Sequence, residues 1–218
     1  MKRSKQLLGA VSTIALIAFS ASPALAGGST AGSSITNNVS VSFDVGGVTQ
    51  TAVTASNTFT VDRKIDVLVD FAGTAATSVA PGAQNQVLAF DVTNLSNAVV
   101  DIRLAAALNV GNAANIANFE VYRDTNGDRS LSAAELAAGP ITYLDEVAAD
   151  GTVAVIVIAD IGLGAVNGNE FDVVLTGTAR EGGTAGTQGA AITQTAGANT
   201  AGVDTVFTDG AGTTDAAR

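Results

Sequence analysis

Short runs of alternating apolar and polar residues, each closed by a turn signal, dictate what this chain can build. Val39, Val41, Phe43 and Val45 fall on one side of an extended segment, with Ser40, Ser42 and Asp44 on the other. A strand has a side-chain period of two, so the pattern reads as β-structure with one apolar face. Gly46-Gly47 follows where a tight hairpin needs positive φ, and Val48 to Thr54 is the return strand. The alternation recurs at Phe59 and Val61, at Ile65, Val67, Val69 and Phe71, and at Leu88, Phe90 and Val92. It returns at Val100, Ile102 and Leu104, and again at Phe171, Val173 and Leu175. Pro81-Gly82, Asn94 to Asn97 and Asn167 to Asn169 punctuate these runs as turns.

Thr152 to Ala159 is apolar on both faces, as a central strand covered on both sides would be. Ala105 to Ala117 fits either a helical turn or a long loop. No run repeats the strand-then-long-helix pattern of a parallel α/β sheet. The strands and turns together predict an all-β, antiparallel sandwich over residues 39–180. Residues 27–38, rich in Gly, Ser and Thr, read as a flexible leader. Residues 181–218 read as an extended or mobile Gly/Ala/Thr-rich segment. Within it Ile192 is the single anchor, 203–207 a last strand, and the tail from Thr208 loose.

Residues 1–26 read as a secretory signal peptide. Lys2, Arg3 and Lys5 precede the apolar stretch Leu7 to Phe19, and Ala24-Leu25-Ala26 supplies small residues for cleavage. The alternative, a retained membrane anchor, suits this stretch less, because it is short for a span. Removing these residues takes three of ten basic side chains and none of the twenty acidic ones, leaving a net charge of −13. So acidic a surface repels nucleic acid and anionic lipid and gathers divalent cations. The chain has no cysteine and no histidine, which excludes disulfides, thiolate sites and the Ser-His-Asp and Cys-His constellations.

One stretch carries chemistry. In FEVYRDTNGDRSLSAAEL, Asp124, Asn126, Asp128 and Glu135 occupy positions 1, 3, 5 and 12 of a twelve-residue loop. That spacing can wrap hard oxygen ligands around Ca2+. Ser130 would offer its backbone carbonyl at position 7, Ser132 a hydroxyl or a water bridge at position 9, and Glu135 two oxygens. Leu131 at position 8 would anchor the loop to the core. Arg129 stands at position 6, where such a loop wants glycine for its sharp turn, and Gly127 would relieve part of the bend. Phe119 to Arg123 reads as a strand, so the flanks are not those of a helix–loop–helix site. A competing reading makes Ser132-x-x-Glu135 a capping box for a short helix over Ser132 to Ala138, stopped by Gly139-Pro140.

Asp145, Glu146 and Asp150 could pair as acid and base for glycoside cleavage, but a solvated charged turn is the commoner reason for such a cluster. Arg63-Lys64 reads as a guard on a strand edge.

The segments NNVSVSFDVGGVTQ, FTVDRKIDVLVD and VAPGAQNQVLAFDVTNLSNA resemble exported proteins of Gram-negative bacteria related to the surface conserved-repeat domains. The similarity continues through VYRDTNGDRSLSAAEL, TYLDEVAADGTVAVIVIADI and VDTVFTDGAG. The resemblance implies an immunoglobulin-like or prealbumin-like sandwich at the cell surface or in the periplasm. In such relatives the acidic loop carries Gly where this chain has Arg129, and the modules are strung into stalks or surface layers. The expected function is a non-enzymatic structural or interaction protein stiffened by Ca2+. Its expected partners are itself, in a filament or surface layer, or other envelope proteins. No nucleic-acid partner and no membrane span after signal cleavage are expected. A filament built by donating the strand Val39 to Val45 is the alternative, and a carboxylate-dependent glycoside hydrolase a remote one.

Overall fold

The computed structural model describes residues 28–73, 76–197 and 199–218, so the signal-peptide reading of residues 1–26 lies outside the described residues. The first elements are β1 (Ser34–Val41), β2 (Asp44–Val45), β3 (Val48–Thr49), β4 (Val53–Thr60), β5 (Arg63–Ile65), β6 (Val67–Phe71), β7 (Gln86–Asn94) and β8 (Val100–Val110). A 3-10 turn (Ala113–Asn115) precedes β9 (Ile116–Arg123) and α1 (Ala133–Ala138). The chain ends with β10 (Tyr143–Val147), β11 (Thr152–Ile161), β12 (Asp172–Glu181), β13 (Thr205–Phe207) and β14 (Thr214–Ala217).

Two four-stranded antiparallel sheets face one another, in the orders β6-β7-β11-β9 and β10-β8-β12-β14. The alternation explains the stacking. Phe90 and Val92 of β7 and Val155 and Val157 of β11 point inward. They meet Ile102 and Leu104 of β8 and Leu175 of β12 in one continuous core. Gly177 lets the sheets close here, because a Cβ on it would lie 2.9 Å from Val69 Cγ2. The other face of β11 is covered as its sequence predicts: Ile156 and Ile158 pack with Tyr122, Val87 and Leu131.

Several boundaries differ from the sequence reading. The sandwich begins at β5, not at residue 39. Strands β1 and β4 pair antiparallel only with each other, from Ser34↔Thr60 to Val41↔Val53, and β2 and β3 close the tip around Gly46 and Gly47, both at positive φ. This hairpin, Ser34 to Thr60, is an arm. From Thr36 to Phe59 all its residues are exposed except the half-buried Gln50. Ala105 to Ala117 is mostly strand, since β8 runs on to Val110 and β9 starts at Ile116, and the expected helical turn is confined to Ala113–Asn115. The tail is not loose. β14 pairs with β12, and Asp215 Oδ2 accepts the Val69 N–H at 2.7 Å, closing the seam between the sheets.

The arm is rooted by a buried polar turn. Asn97 Oδ1 accepts the Lys64 N–H, while its Nδ2 donates to the carbonyls of Ser29 and Asp62, one on each side of the arm. Asn94 Nδ2 donates to the Ala98 and Val147 carbonyls, and Ser96 Oγ donates to the Asp66 carbonyl. The sequence marks Asn94 to Asn97 as a turn. Its burial follows from the backbone groups that these amides satisfy.

Candidate metal centre

The acidic loop leaves the end of β9 and folds over the outer face of its sheet. The Asp124 N–H donates to the Ala154 carbonyl, which holds the first loop residue on β11. Leu131 packs with Tyr122, Ile156 and Ile158, the anchoring role expected of position 8. Ser132 caps α1 and completes the capping box with Glu135.

Asp124, nearly buried, accepts the Gly127 N–H on Oδ1 (2.7 Å) and the Arg129 N–H on Oδ2 (3.0 Å). The second bond ties position 1 to position 6 across the turn. Arg129 holds φ at +62°, and Gly127 is also left-handed at +73°. The arginine therefore takes the conformation that glycine would take, at a cost of about 1 kcal/mol. Its side chain offsets part of this. Nη1 and Nη2 grip the two oxygens of Asp91 on β7 at 2.7 and 2.9 Å, and that carboxylate raises the arginine pKa. Nothing in the sequence pairs Asp91 with Arg129, because one stands on β7 and the other in the loop after β9.

Asn126 and Asp128 stand at the exposed tip. Asn126 Nδ2 donates to Asp128 Oδ2, and Asp128 Oδ1 accepts the Ser130 N–H. Glu135 is buried and turned back. Oε1 accepts from the Thr125 N–H and hydroxyl, and Oε2 from the Ser132 N–H and hydroxyl. These donors, led by the Ser132 N–H, lower its pKa from 4.5 to about 2. Asp124, Asn126, Asp128 and Ser130 share one turn, but among the described residues Asp124, Asp128 and Glu135 do not form a group whose oxygens converge within 4.8 Å. Both oxygens of Glu135 serve the base of that turn, and with two donors each their lone pairs are taken.

Of the acids expected in a solvated turn, Asp145 and Asp150 are exposed and Glu146 is half-buried, and Asp145 and Glu146 meet a third acid that the sequence reading did not include, Asp101. Oxygens of Asp101, Asp145 and Glu146 lie within 4.8 Å of one another. Asp101 is fully buried; Oδ1 accepts the Glu146 N–H and Oδ2 the Gly189 N–H. Both oxygens of Asp145 accept the Gly186 N–H, and Glu146 Oε1 accepts those of Gly183 and Thr184. The three carboxylates hold down the glycine-rich strap 183–189, which the sequence reading left extended or mobile. A Cβ on Gly189 would meet the Glu181 carbonyl at 1.8 Å, so only glycine lets the strap lie this close. Ile192 is buried as the expected anchor. Arg63 also does more than guard an edge: it grips both Glu181 oxygens at 2.5 and 2.9 Å.

Comparison with protein-family models, with curated proteins and with solved structures finds no match to this chain.

Proposed function

We propose that this chain is an exported, non-enzymatic structural or interaction protein of the bacterial cell envelope, in which a rigid sandwich presents an arm to a partner. The arm carries the reading. One of its faces holds Val39, Val41, Val53 and Phe59, and the opposite face is Ser, Thr and Asn throughout. With Phe43, Val45 and Val48 near the tip, seven large apolar side chains stand 45–63% exposed on a single ribbon. The pair Asn37 and Asn57 separates Phe59 from the rest, and an exposed apolar surface of this kind marks an interaction site. Among the described residues no helix is long and apolar enough to cross a membrane.

The test is retention. The arm is shortened by replacing Thr36 to Thr58 with Gly-Gly, and host cells are fractionated. The full chain is expected in the envelope fraction and the shortened chain in the medium. Equal distribution of the two overturns the proposal.

A second reading, Ca2+ at the acidic loop, is favoured by the bond from the Arg129 N–H to Asp124 and by the left-handed turn at position 6. Asp124, Asn126, Asp128 and the Ser130 carbonyl would form the shell, and Glu135 would join it only by releasing donors. Ion at ten times Kd stabilises the fold by about 1.4 kcal/mol. Chelation with EGTA should lower Tm by about 3–5 °C, and Asp124→Ala should remove that sensitivity. An unchanged Tm on chelation discards the ion.

A further inference from the structure

The arm and an apolar cleft occupy opposite poles of the sandwich. Strand β7 shows this directly. Its end at Asn94 adjoins the turn that roots the arm, and its start at Gln86 lines a cleft of about 740 Å³. The two are about 27 Å apart along the strand. The cleft is the open end of the sandwich, walled by Phe71, Leu88, Ile161, Phe171 and Val173. Beside it the β11–β12 loop displays Val166, 65% exposed, and Leu163, 87% exposed. Each pole therefore offers apolar surface that its own sandwich leaves uncovered.

Charge does not oppose joining the two. Asp44 near the tip is the one charged residue between Ser34 and Thr60, whereas the chain as a whole carries −10. An arm with a single charge can approach a second acidic body that would repel a more acidic one. Arg218 is the one cation among the described residues lining the cleft; it lies 3.6 Å from Asp172 and shares the lining with Glu170, so entry of the tip rests on its apolar side chains and not on charge. No lysine or proline interrupts Ser34 to Thr60, and these are the residues that usually blunt an exposed strand pair.

We infer that the arm tip of one copy, with Phe43, Val45 and Val48, seats in the cleft of a second copy. This inference rests on the interaction reading above and names the partner. Different surfaces meet, so the contact is heterologous and repeats head to tail, giving an open filament with a direction. The arm acts as a ready-made pair of strands. No strand leaves its own sheet, unlike the donated single strand that the sequence offers as an alternative.

The experiment uses two double variants at exposed positions, Phe43→Asp with Val45→Asp on the tip, and Leu163→Asp with Val166→Asp beside the cleft. Each is followed by sizing with light scattering across a concentration series and by electron microscopy. The unaltered protein should grow into linear oligomers, and each variant alone should stay monomeric. Mixed together, the two variants should stop at dimers, since one live arm then meets one live cleft. Oligomers of the Leu163/Val166 variant overturn the inference in favour of arm-to-arm pairing, and oligomers of the tip variant overturn it outright. A wild-type protein monomeric at every concentration, with or without a small apolar molecule in its cleft, also overturns it. In that case loss of the shortened chain from the envelope would leave the interaction reading standing. Retention of the shortened chain would remove that reading itself.

Discussion

Glu135 draws four donors onto two oxygens in a buried place, and this sets the sign of its pH response. Its folded pKa of about 2 lies below the ordinary 4.5. Its contribution is therefore complete above pH 4.5 and is lost as pH falls towards 2. Glu135→Gln should melt below the unaltered protein at pH 7, by about 3–6 °C. The gap should close between pH 5 and 2, and a gap of constant size would show that the carboxylate charge is not what the donors hold. The capping box was legible because Ser132 and Glu135 stand three apart at a helix start. Arg129 was legible only as a misfit at position 6. Its compensation by Asp91 depends on a pairing 38 residues distant, which no local spacing reveals.

At the scale of elements, alternation told which residues share a face but not what covers that face. Asp101 alternates with Val100 and Ile102, so it points away from the core, yet the strap 183–189 buries it completely. Val39, Val41 and Phe43 show the reverse. Their side was correctly read as apolar, and among the described residues nothing in the body covers it. Both outcomes come from loop routing, which hydrophobic period does not encode. The strap gives a measurable consequence. Asp101→Ala removes the acceptor for Gly189 and Glu146, and losing charge-assisted bonds should ease local opening by about 1.4 kcal/mol or more. Hydrogen exchange at 183–189 should then quicken about tenfold while β11 stays protected. Unchanged exchange would mean that Asp145 and Glu146 suffice to hold the strap.

On the scale of the whole molecule, the all-β antiparallel sandwich follows from strand-sized periods and the turns between them. The split into body and arm does not, because the arm's sequence is as strand-like as the rest. The arm adds little burial, since Thr36 to Phe59 is almost wholly exposed. Shortening it should leave the monomer's Tm within about 2 °C. A fall of about 10 °C would show that it supports the body.

The parallel pairing of β5 with β13 joins Arg63 to Thr205 and Ile65 to Phe207. The early part of the sandwich therefore waits for residues more than a hundred positions later before its edge is complete. Closing so wide a loop costs entropy before any contact repays it, so this edge is expected to complete after the local strand pairs. With this wiring, the last step of folding is expected to be the docking of 205–207 on β5.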